Sequence, residues 1–203
     1  MQAHTTTMKI IAIISMTLSS FLFAFSAHAE PRSVDALTLD VAGIKTGMGY
    51  QEAREAAAKH FKISTNAIKP NALLRTNIIT NTKLPEYFSY ESNGAKLWAH
   101  FETRVPPDKK DPLVVNLVVY ELPVTEKNFD QMAKAAISKY GPPSSRIGAV
   151  GMSWCVSSGK GCNKDGEASL RLTSDSRLTL SDPAWASVRI QYMKDQKTTA
   201  PNF

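Results

Sequence analysis

Two segments of the chain repeat apolar residues with the spacing of an amphipathic helix. The first begins at Gly49, an N-cap position, with Glu52 three residues further on as in a capping box. Its apolar face carries Ala53, Ala56, Ala57, His60 and Phe61. Because alanine has little side chain, this pattern predicts a helix that lies close to its support.

The second helical segment has stronger boundary signals. Thr125 is a good N-cap residue, Gly141 is suited to the C′ position, and the following Pro142 and Pro143 prevent continuation of the helix. Its apolar stripe consists of Phe129, Met132, Ala133, Ala136, Ile137 and Tyr140. A continuous stripe of this kind predicts a core-facing helix.

Alternating residues predict a β-hairpin between these helices. Residues 87–91 and 95–103 flank Asn93-Gly94, the signature of a type I′ turn. The second strand would place Leu97, Ala99 and Phe101 on one face. Its other face would carry Lys96, Trp98, His100 and Glu102.

Further apolar runs predict the remaining strands. Residues 113–120 are apolar at both alternating positions, which favours a central strand. A second meander is predicted at residues 152–156, 168–173, 177–180 and 186–192. Residues 62–85 show no clear period and fit either a short strand or a long loop.

The order of elements predicts an α+β fold, in which two helices pack on an antiparallel sheet. We expect a single domain over residues 30–195 and a flexible tail over 196–203. The two helical segments resemble each other, and strands follow both. We therefore also expect tandem helix-plus-meander repeats over residues 40–120 and 121–195, although helices of similar composition also align by chance.

The first 29 residues have the pattern of a cleavable signal peptide. Lys9 precedes an apolar run over residues 10–25, and Ala27-His28-Ala29 then supplies small residues at the cleavage positions. The alternative, a membrane anchor, is disfavoured by the serines and threonines that interrupt the run. We expect a periplasmic protein, with secretion beyond the outer membrane as an open alternative.

Charge and hydropathy narrow the range of partners. The formal net charge of +6 falls to +5 without Lys9, and no block of five like charges exists, so we expect no nucleic-acid partner. No later stretch reaches the roughly 18 apolar residues that a spanning helix requires, so we expect no transmembrane segment in the mature chain.

Cys155 and Cys162 are the only two cysteines in the chain. In an oxidising compartment, we expect them to pair and close a hairpin loop. The alternatives are a redox pair, which would favour the C-x-x-C spacing, or metal ligands, which would need further partners. Neither pattern is present.

No catalytic motif occurs in the sequence. The chain contains no nucleophile elbow, phosphate loop, zinc-binding H-E-x-x-H or calcium loop. We therefore predict no catalytic residue, no metal and no cofactor.

Four residues are candidates for contact with a partner: Lys96, Trp98, His100 and Tyr90. Tryptophan is enriched in binding hot spots but also fills cores, and Trp98 would be covered if helices lay on both faces of the sheet. His100 would either contact a ligand or lie beneath a helix or loop with its hydrogen-bonding groups paired within the protein. His60, on the apolar helix face, is expected to be structural.

Residues 41–53, Val-Ala-Gly-Ile-Lys-Thr-Gly-Met-Gly-Tyr-Gln-Glu-Ala, resemble the opening of domains in the BamE-like and beta-lactamase-inhibitor-protein-like superfamily. The resemblance implies helices on one face of an antiparallel sheet and a habit of binding other proteins. It implies no particular partner and no functional residue. The chain lacks the acylated cysteine of BamE and is longer.

These observations favour a soluble exported protein-binding module of a Gram-negative envelope, acting as an inhibitor, an immunity factor or an assembly accessory. One alternative is a periplasmic enzyme whose site is assembled around His100 as general base. Another is a structural envelope protein that binds an anionic surface through its net charge.

Overall fold

The computed structural model describes residues 32–157, 162 and 166–197, so the predicted signal peptide lies outside the described residues. Three α-helices are present in these ranges: α1 (Tyr50–Phe61), α2 (Glu126–Tyr140) and α3 (Ala184–Lys197). The strands are β1 (Lys69–Pro70), β2 (Arg75–Thr76), β3 (Lys83–Leu84), β4 (Tyr87–Ser92), β5 (Ala95–Thr103), β6 (Leu113–Glu121), β7 (Ser145–Ile147), β8 (Gly151–Trp154), β9 (Ser169–Thr173) and β10 (Arg177–Ser181).

Eight of the strands form one antiparallel sheet in the order β1-β4-β5-β6-β10-β9-β8-β7. Strands β2 and β3 pair separately as a small hairpin. Strand β6 lies in the middle of the large sheet, as its apolar sequence predicts, and the expectation of an α+β fold is confirmed.

The core lies between one face of this sheet and helices α1 and α2. A row of buried side chains crosses six neighbouring strands on that face: Phe88, Ala99, Val118, Leu180, Leu170 and Trp154. Tyr50 of α1 contacts the ring of Phe88, and Tyr140 of α2 contacts the ring of Trp154. Both helices therefore cover the same face of the sheet.

Helix α1 begins where the sequence predicts. Gly49 is the N-cap residue, and its N–H donates to the Glu52 carboxylate. The buried stripe runs through Ala53, Ala57 and Ala58, so His60 lies at its margin and is exposed. The expected core position of His60 is therefore wrong.

The hairpin of β4 and β5 is confirmed. Asn93 and Gly94 have φ angles of 51° and 78°, as a type I′ turn requires at both central positions. The turn fixes the register, in which Tyr90 lies opposite Leu97 and Ser89 opposite Trp98.

Helix α3 replaces the strand predicted at residues 186–192, and that prediction is wrong. The alternation of Ala186, Val188, Ile190 and Tyr192 suggested a strand. The Oδ1 atom of Asp182 instead accepts a hydrogen bond from the Ala184 N–H, and Pro183 directly precedes the helix, an arrangement that starts a helix. The fold thus has three described helices rather than two.

Helix α3 ends at Lys197, so the first two residues of the predicted tail are helical. The rest of that tail, residues 198–203, lies outside the described residues. At the other end of the domain, Val34 is buried, and its N–H donates to the carbonyl oxygen of Cys155 at 2.8 Å.

The two halves of the chain have the same order of elements. One half runs α1-β1-β4-β5-β6 and the other α2-β7-β8-β9-β10, each with its first sheet strand at the outer edge. Their last strands pair antiparallel at the centre, with Val119 opposite Thr179. This arrangement relates the halves by an approximate two-fold axis, whereas a shared origin of the repeats stays a prediction.

Cys155 and Cys162 form the expected disulfide, with an S–S distance of 2.03 Å and a Cα–Cα distance of 5.5 Å. Both cysteines are buried. The neighbouring Trp154 is also buried, and its Nε1–H donates to the carbonyl oxygen of Gly141 at 2.9 Å. The end of β8 is thereby tied to the end of α2.

Candidate functional site

The face of the sheet opposite α1 and α2 is largely open to solvent. We call it the open face and define it by side chains that are all partly or fully exposed: Ser89, Glu91, Lys96, Trp98, Val119, Glu121, Arg171, Thr173, Arg177 and Thr179. These residues belong to five adjacent strands, so their backbones are held by the sheet. The open face is therefore a broad and rigid surface.

Trp98 lies in the first half of the open face, between Ser89 of β4 and Val119 of β6, and is partly exposed. Lys96 lies one row away, between Glu91 and Glu121 in the strand register. A large aromatic side chain is thus next to charged side chains.

Ionic contacts continue along the next strands. The Nε atom of Arg177 donates to the carboxylate of Glu121, and Asp175 lies 3.7 Å from the same nitrogen. On the adjoining strand, Arg171 donates to the carbonyl oxygen of Cys162. Polar and charged side chains therefore lie on the strands of the open face next to Trp98.

Of the four candidate contact residues, the structure brings three to the same side of the sheet. Lys96, Trp98 and His100 alternate along β5 with the buried Leu97 and Ala99. Tyr90 lies on the opposite side, where its ring contacts Phe61 of α1 at a centroid distance of 4.9 Å. Tyr90 therefore packs with the core and does not join the other three.

A cleft of about 620 Å³ adjoins the open face at His100. Strands β5 and β6 form its floor, and its two walls come from residues 75–87 and from α3. We call residues 71–86 the arm, because this segment leaves the sheet after β1 and returns to it at β4. The polar cleft residues used below are Arg75, Glu86, Tyr87, His100, Glu102, Asn116 and Arg189.

Asparagine side chains anchor the arm. The Oδ1 atom of the buried Asn71 accepts from the Glu86 N–H at 2.9 Å, and its Nδ2 donates to the Leu73 carbonyl at 2.6 Å. Further along, Nδ2 of Asn77 donates to Oγ1 of Thr103 on β5. Asn71 therefore joins the two ends of the arm, and Asn77 fastens the arm to the sheet.

An ion pair anchors the opposite wall. The Nε atom of Arg189 on α3 donates to Oε2 of Glu102 on β5 at 2.6 Å. The two side chains retain only 28% and 18% of their accessible surface. Shielding from water strengthens this contact relative to a surface pair.

His100 lies in the floor of the cleft with its ring 5.4 Å from the ring of Tyr87. Burial lowers the pKa of His100 below its ordinary value of 6.5, and the nearby Glu86 carboxylate partly opposes that shift. The imidazole is therefore neutral at neutral pH. It makes no hydrogen bond to another residue in the described part of the chain.

A β-bulge shapes the floor next to His100. His100 pairs with Leu117 but Phe101 pairs with Val115, so Asn116 is the extra residue of β6. The Oδ1 atom of Asn116 is buried and receives no hydrogen bond from the residues described. Bulges redirect side chains, and this one leaves an acceptor without a donor at the cleft.

The arm that forms one wall of the cleft also has an apolar outer surface. The arm exposes large apolar side chains, with Leu73 81% and Ile78 71% accessible.

Within residues 32–157, 162 and 166–197, no group of three His, Cys, Asp or Glu residues could hold a metal ion. Over the same ranges, no helix has the length and apolar character needed to cross a membrane.

Comparisons with known proteins give no match: no family model matches the chain, and neither the curated proteins nor the solved structures include a significant relative. The resemblance of residues 41–53 to the BamE-like and beta-lactamase-inhibitor-protein-like superfamily therefore stays a prediction.

The sequence places His100 and Glu102 on one face of β5, but it does not identify the other polar residues of the cleft. Arg189 was assigned to a strand, although Asp182-Pro183 carries the signal for the helix that positions it. Glu86 and Asn116 have no local signal, because the arm and the bulge depend on contacts between distant parts of the chain.

Proposed function

We propose that this protein is an exported protein-binding module that engages its partner with the open face. The observation that carries the proposal is the partly exposed Trp98 in a rigid, uncovered sheet surface with charged side chains around it. Binding hot spots are enriched in tryptophan and are surrounded by residues that exclude water while contributing little energy themselves.

The energetics of the open face support protein binding. A sheet surface loses little conformational entropy on association, since its backbone is already ordered. Charges of opposite sign alternate across four neighbouring strands, in the order Glu91, Lys96, Glu121 and Arg177. This alternation favours specificity for a complementary partner rather than general attraction to one charge. The partner would therefore be a folded protein with a matching charge pattern.

The sequence pattern and the disulfide support the proposed compartment, and the sequence supports the proposed role. The signal-peptide pattern supports export to the periplasm, and a disulfide between Cys155 and Cys162 is consistent with an oxidising compartment. The role would be that of an inhibitor, an immunity factor or an envelope-assembly accessory, which the export pattern, the absence of a catalytic motif and the resemblance of residues 41–53 to protein-binding domains together support.

Site-specific photo-crosslinking tests this proposal. A benzophenone amino acid replaces Trp98 in cells that export the protein, and the matched control places it at Lys134, an exposed residue of α2 on the other side of the sheet. We expect a discrete adduct with one protein from position 98, competed by unlabelled protein, and none from position 134. Equal labelling at both positions, or no adduct at position 98, would contradict the proposal.

A second candidate function is an enzyme with His100 as general base. A neutral imidazole in a cleft is the observation that favours it, because a base must be unprotonated and within reach of substrate. Turnover of an envelope-derived substrate that is lost in His100→Gln and retained in Lys134→Ala would support this function. The absence of any turnover difference between these variants would exclude it.

A further inference from the structure

We infer that the cleft beside His100 binds a neutral, hydroxyl-rich ligand with the chemistry of a saccharide. This site is separate from the open face, and the inference does not depend on protein binding there. The volume of about 620 Å³ lies within the range of small-molecule sites, roughly 300–1,000 Å³.

Unpaired polar groups in the cleft include both donors and acceptors. Neutral His100 offers one N–H and one acceptor nitrogen, and the hydroxyl of Tyr87 makes no hydrogen bond within the described part of the chain. Asn116 adds a buried acceptor, Oδ1, without a donor. A hydroxyl group both donates and accepts, so several hydroxyls on one ligand can satisfy this mixed set, whereas an acceptor-only carboxylate leaves Asn116 unpaired.

The charges of the cleft argue against an ionic ligand. Arg189 pairs with Glu102 at 2.6 Å, and Arg75 lies 3.6 Å from Glu86. These residues contribute two positive and two negative charges, so the cleft offers no excess charge of either sign. A phosphate or a polyamine would have to break one of the pairs to be neutralised.

The aromatic rings favour a saccharide over a peptide. Tyr87 and His100 are cross-strand neighbours, and both are partly exposed, so their rings offer apolar surface to the C–H face of a sugar. An extended peptide commonly binds by adding a strand to a sheet edge. The floor of this cleft is formed by β5 and β6, which are interior strands whose backbones are already paired on both sides near His100 and Leu117.

Contacts within the protein hold both walls of the cleft in place without a ligand. Asn71 and Asn77 fix the arm, and the ion pair between Arg189 and Glu102 fixes α3. A fixed cleft loses less conformational entropy on binding than a mobile one. This matters for saccharides, because each hydroxyl exchanges hydrogen bonds with water for similar bonds with protein.

Nuclear magnetic resonance titration of the folded protein tests the inference. The probes are neutral oligomers of N-acetylglucosamine and of glucose, with inorganic phosphate and an N-acetylated, C-amidated trialanine as the other arms. We expect saturable shifts of the His100 imidazole and Tyr87 ring signals with a neutral oligosaccharide at about 1 mM or below. No saturable shift from either saccharide series at about 10 mM, or saturation by phosphate or the peptide alone, would overturn the inference.

Substitutions of cleft residues test whether the saccharide binds in the cleft. Asn116→Leu removes the unpaired acceptor, and we expect it to weaken saccharide binding roughly threefold to tenfold, the range for one hydrogen bond. Tyr87→Leu removes the ring and hydroxyl and should weaken binding further, whereas Lys134→Ala on α2 should leave it unchanged. Unchanged affinity in both folded cleft variants would overturn the inference, and photo-crosslinking at Trp98 would still report separately on the open face.

Discussion

The Nε atom of Arg189 on α3 lies 2.6 Å from Oε2 of Glu102 on β5. This contact joins the third helix to the side of the sheet that α1 and α2 leave uncovered. A second contact nearby places the guanidinium of Arg104 over the ring of Trp185 at 5.9 Å. Helix α3 is thereby held at one end of the open face and forms a wall of the cleft without covering Trp98.

Replacing Glu102 with glutamine should destabilise the protein. The variant keeps the shape of the side chain but removes the charge that Arg189 faces in a shielded position. We expect the free energy of unfolding to fall by about 1.5–3 kcal/mol, the scale of a hydrogen bond to a charged group. Urea denaturation measures this change, with Glu126→Gln on the exposed start of α2 as the control. An identical denaturation midpoint for Glu102→Gln and the wild type would show that the ion pair does not hold α3.

Loss of the disulfide should cost stability without changing the fold. Cys155 and Cys162 close a loop of eight residues, for which the chain-entropy relation gives about 2.5 kcal/mol. The double variant Cys155→Ser with Cys162→Ser should therefore unfold at lower urea concentration than the oxidised wild type. Reduced wild type should shift in the same direction. If oxidised and reduced proteins unfolded at the same urea concentration, the loop would contribute nothing to stability.

A methyl group at Gly49 should be poorly tolerated. A Cβ atom at this N-cap position would lie 2.5 Å from both carboxylate oxygens of Asp111. We expect Gly49→Ala to lower the free energy of unfolding by about 1–3 kcal/mol, as overpacking does. Because the clash involves one side chain, Asp111→Ala should relieve part of it, and the double variant should lose less than the sum of the single losses. Full additivity in thermal or urea unfolding would contradict this account of the N-cap.

The lowered pKa of His100 predicts that the folded protein loses stability in acid. Burial lowers the folded-state pKa below 6.5, so the unfolded chain binds a proton at a higher pH than the folded protein does. Stability from this residue is therefore present above pH 6.5 and decreases as the pH falls from 6.5 through the folded-state pKa. Nuclear magnetic resonance titration gives that pKa directly, and His100→Gln should show a weaker loss of stability over the same pH window. A His100 pKa at or above 6.5 would refute the assignment.

The parts of the fold that the sequence predicts are those with local signals. Thr125 and Gly141 mark the ends of α2, and Asn93-Gly94 marks the hairpin, because capping and turn geometry depend on a few adjacent residues. Helix α3 was missed since Val188 and Ile190 alternate like a strand. The helix-starting pair Asp182-Pro183 outweighed that alternation.

The candidate site was predicted in part. Lys96, Trp98 and His100 share a side of the sheet because they alternate along one strand. Tyr90 lies on the other side, because the register of the two-residue hairpin places it opposite the buried Leu97. The cleft could not be predicted, since Asn77 and Thr103, and Arg189 and Glu102, meet only in the folded chain.

The affinity of the purified protein for the partner captured at position 98 tests the central claim most directly. If Trp98 is the centre of the interface, Trp98→Ala should raise the dissociation constant by about 30-fold or more, corresponding to at least about 2 kcal/mol. Lys134→Ala, on the far side of the sheet, should leave the dissociation constant unchanged. Unchanged affinity in a folded Trp98→Ala variant, or an equal loss in Lys134→Ala, would contradict the assignment of the open face as the protein-binding surface.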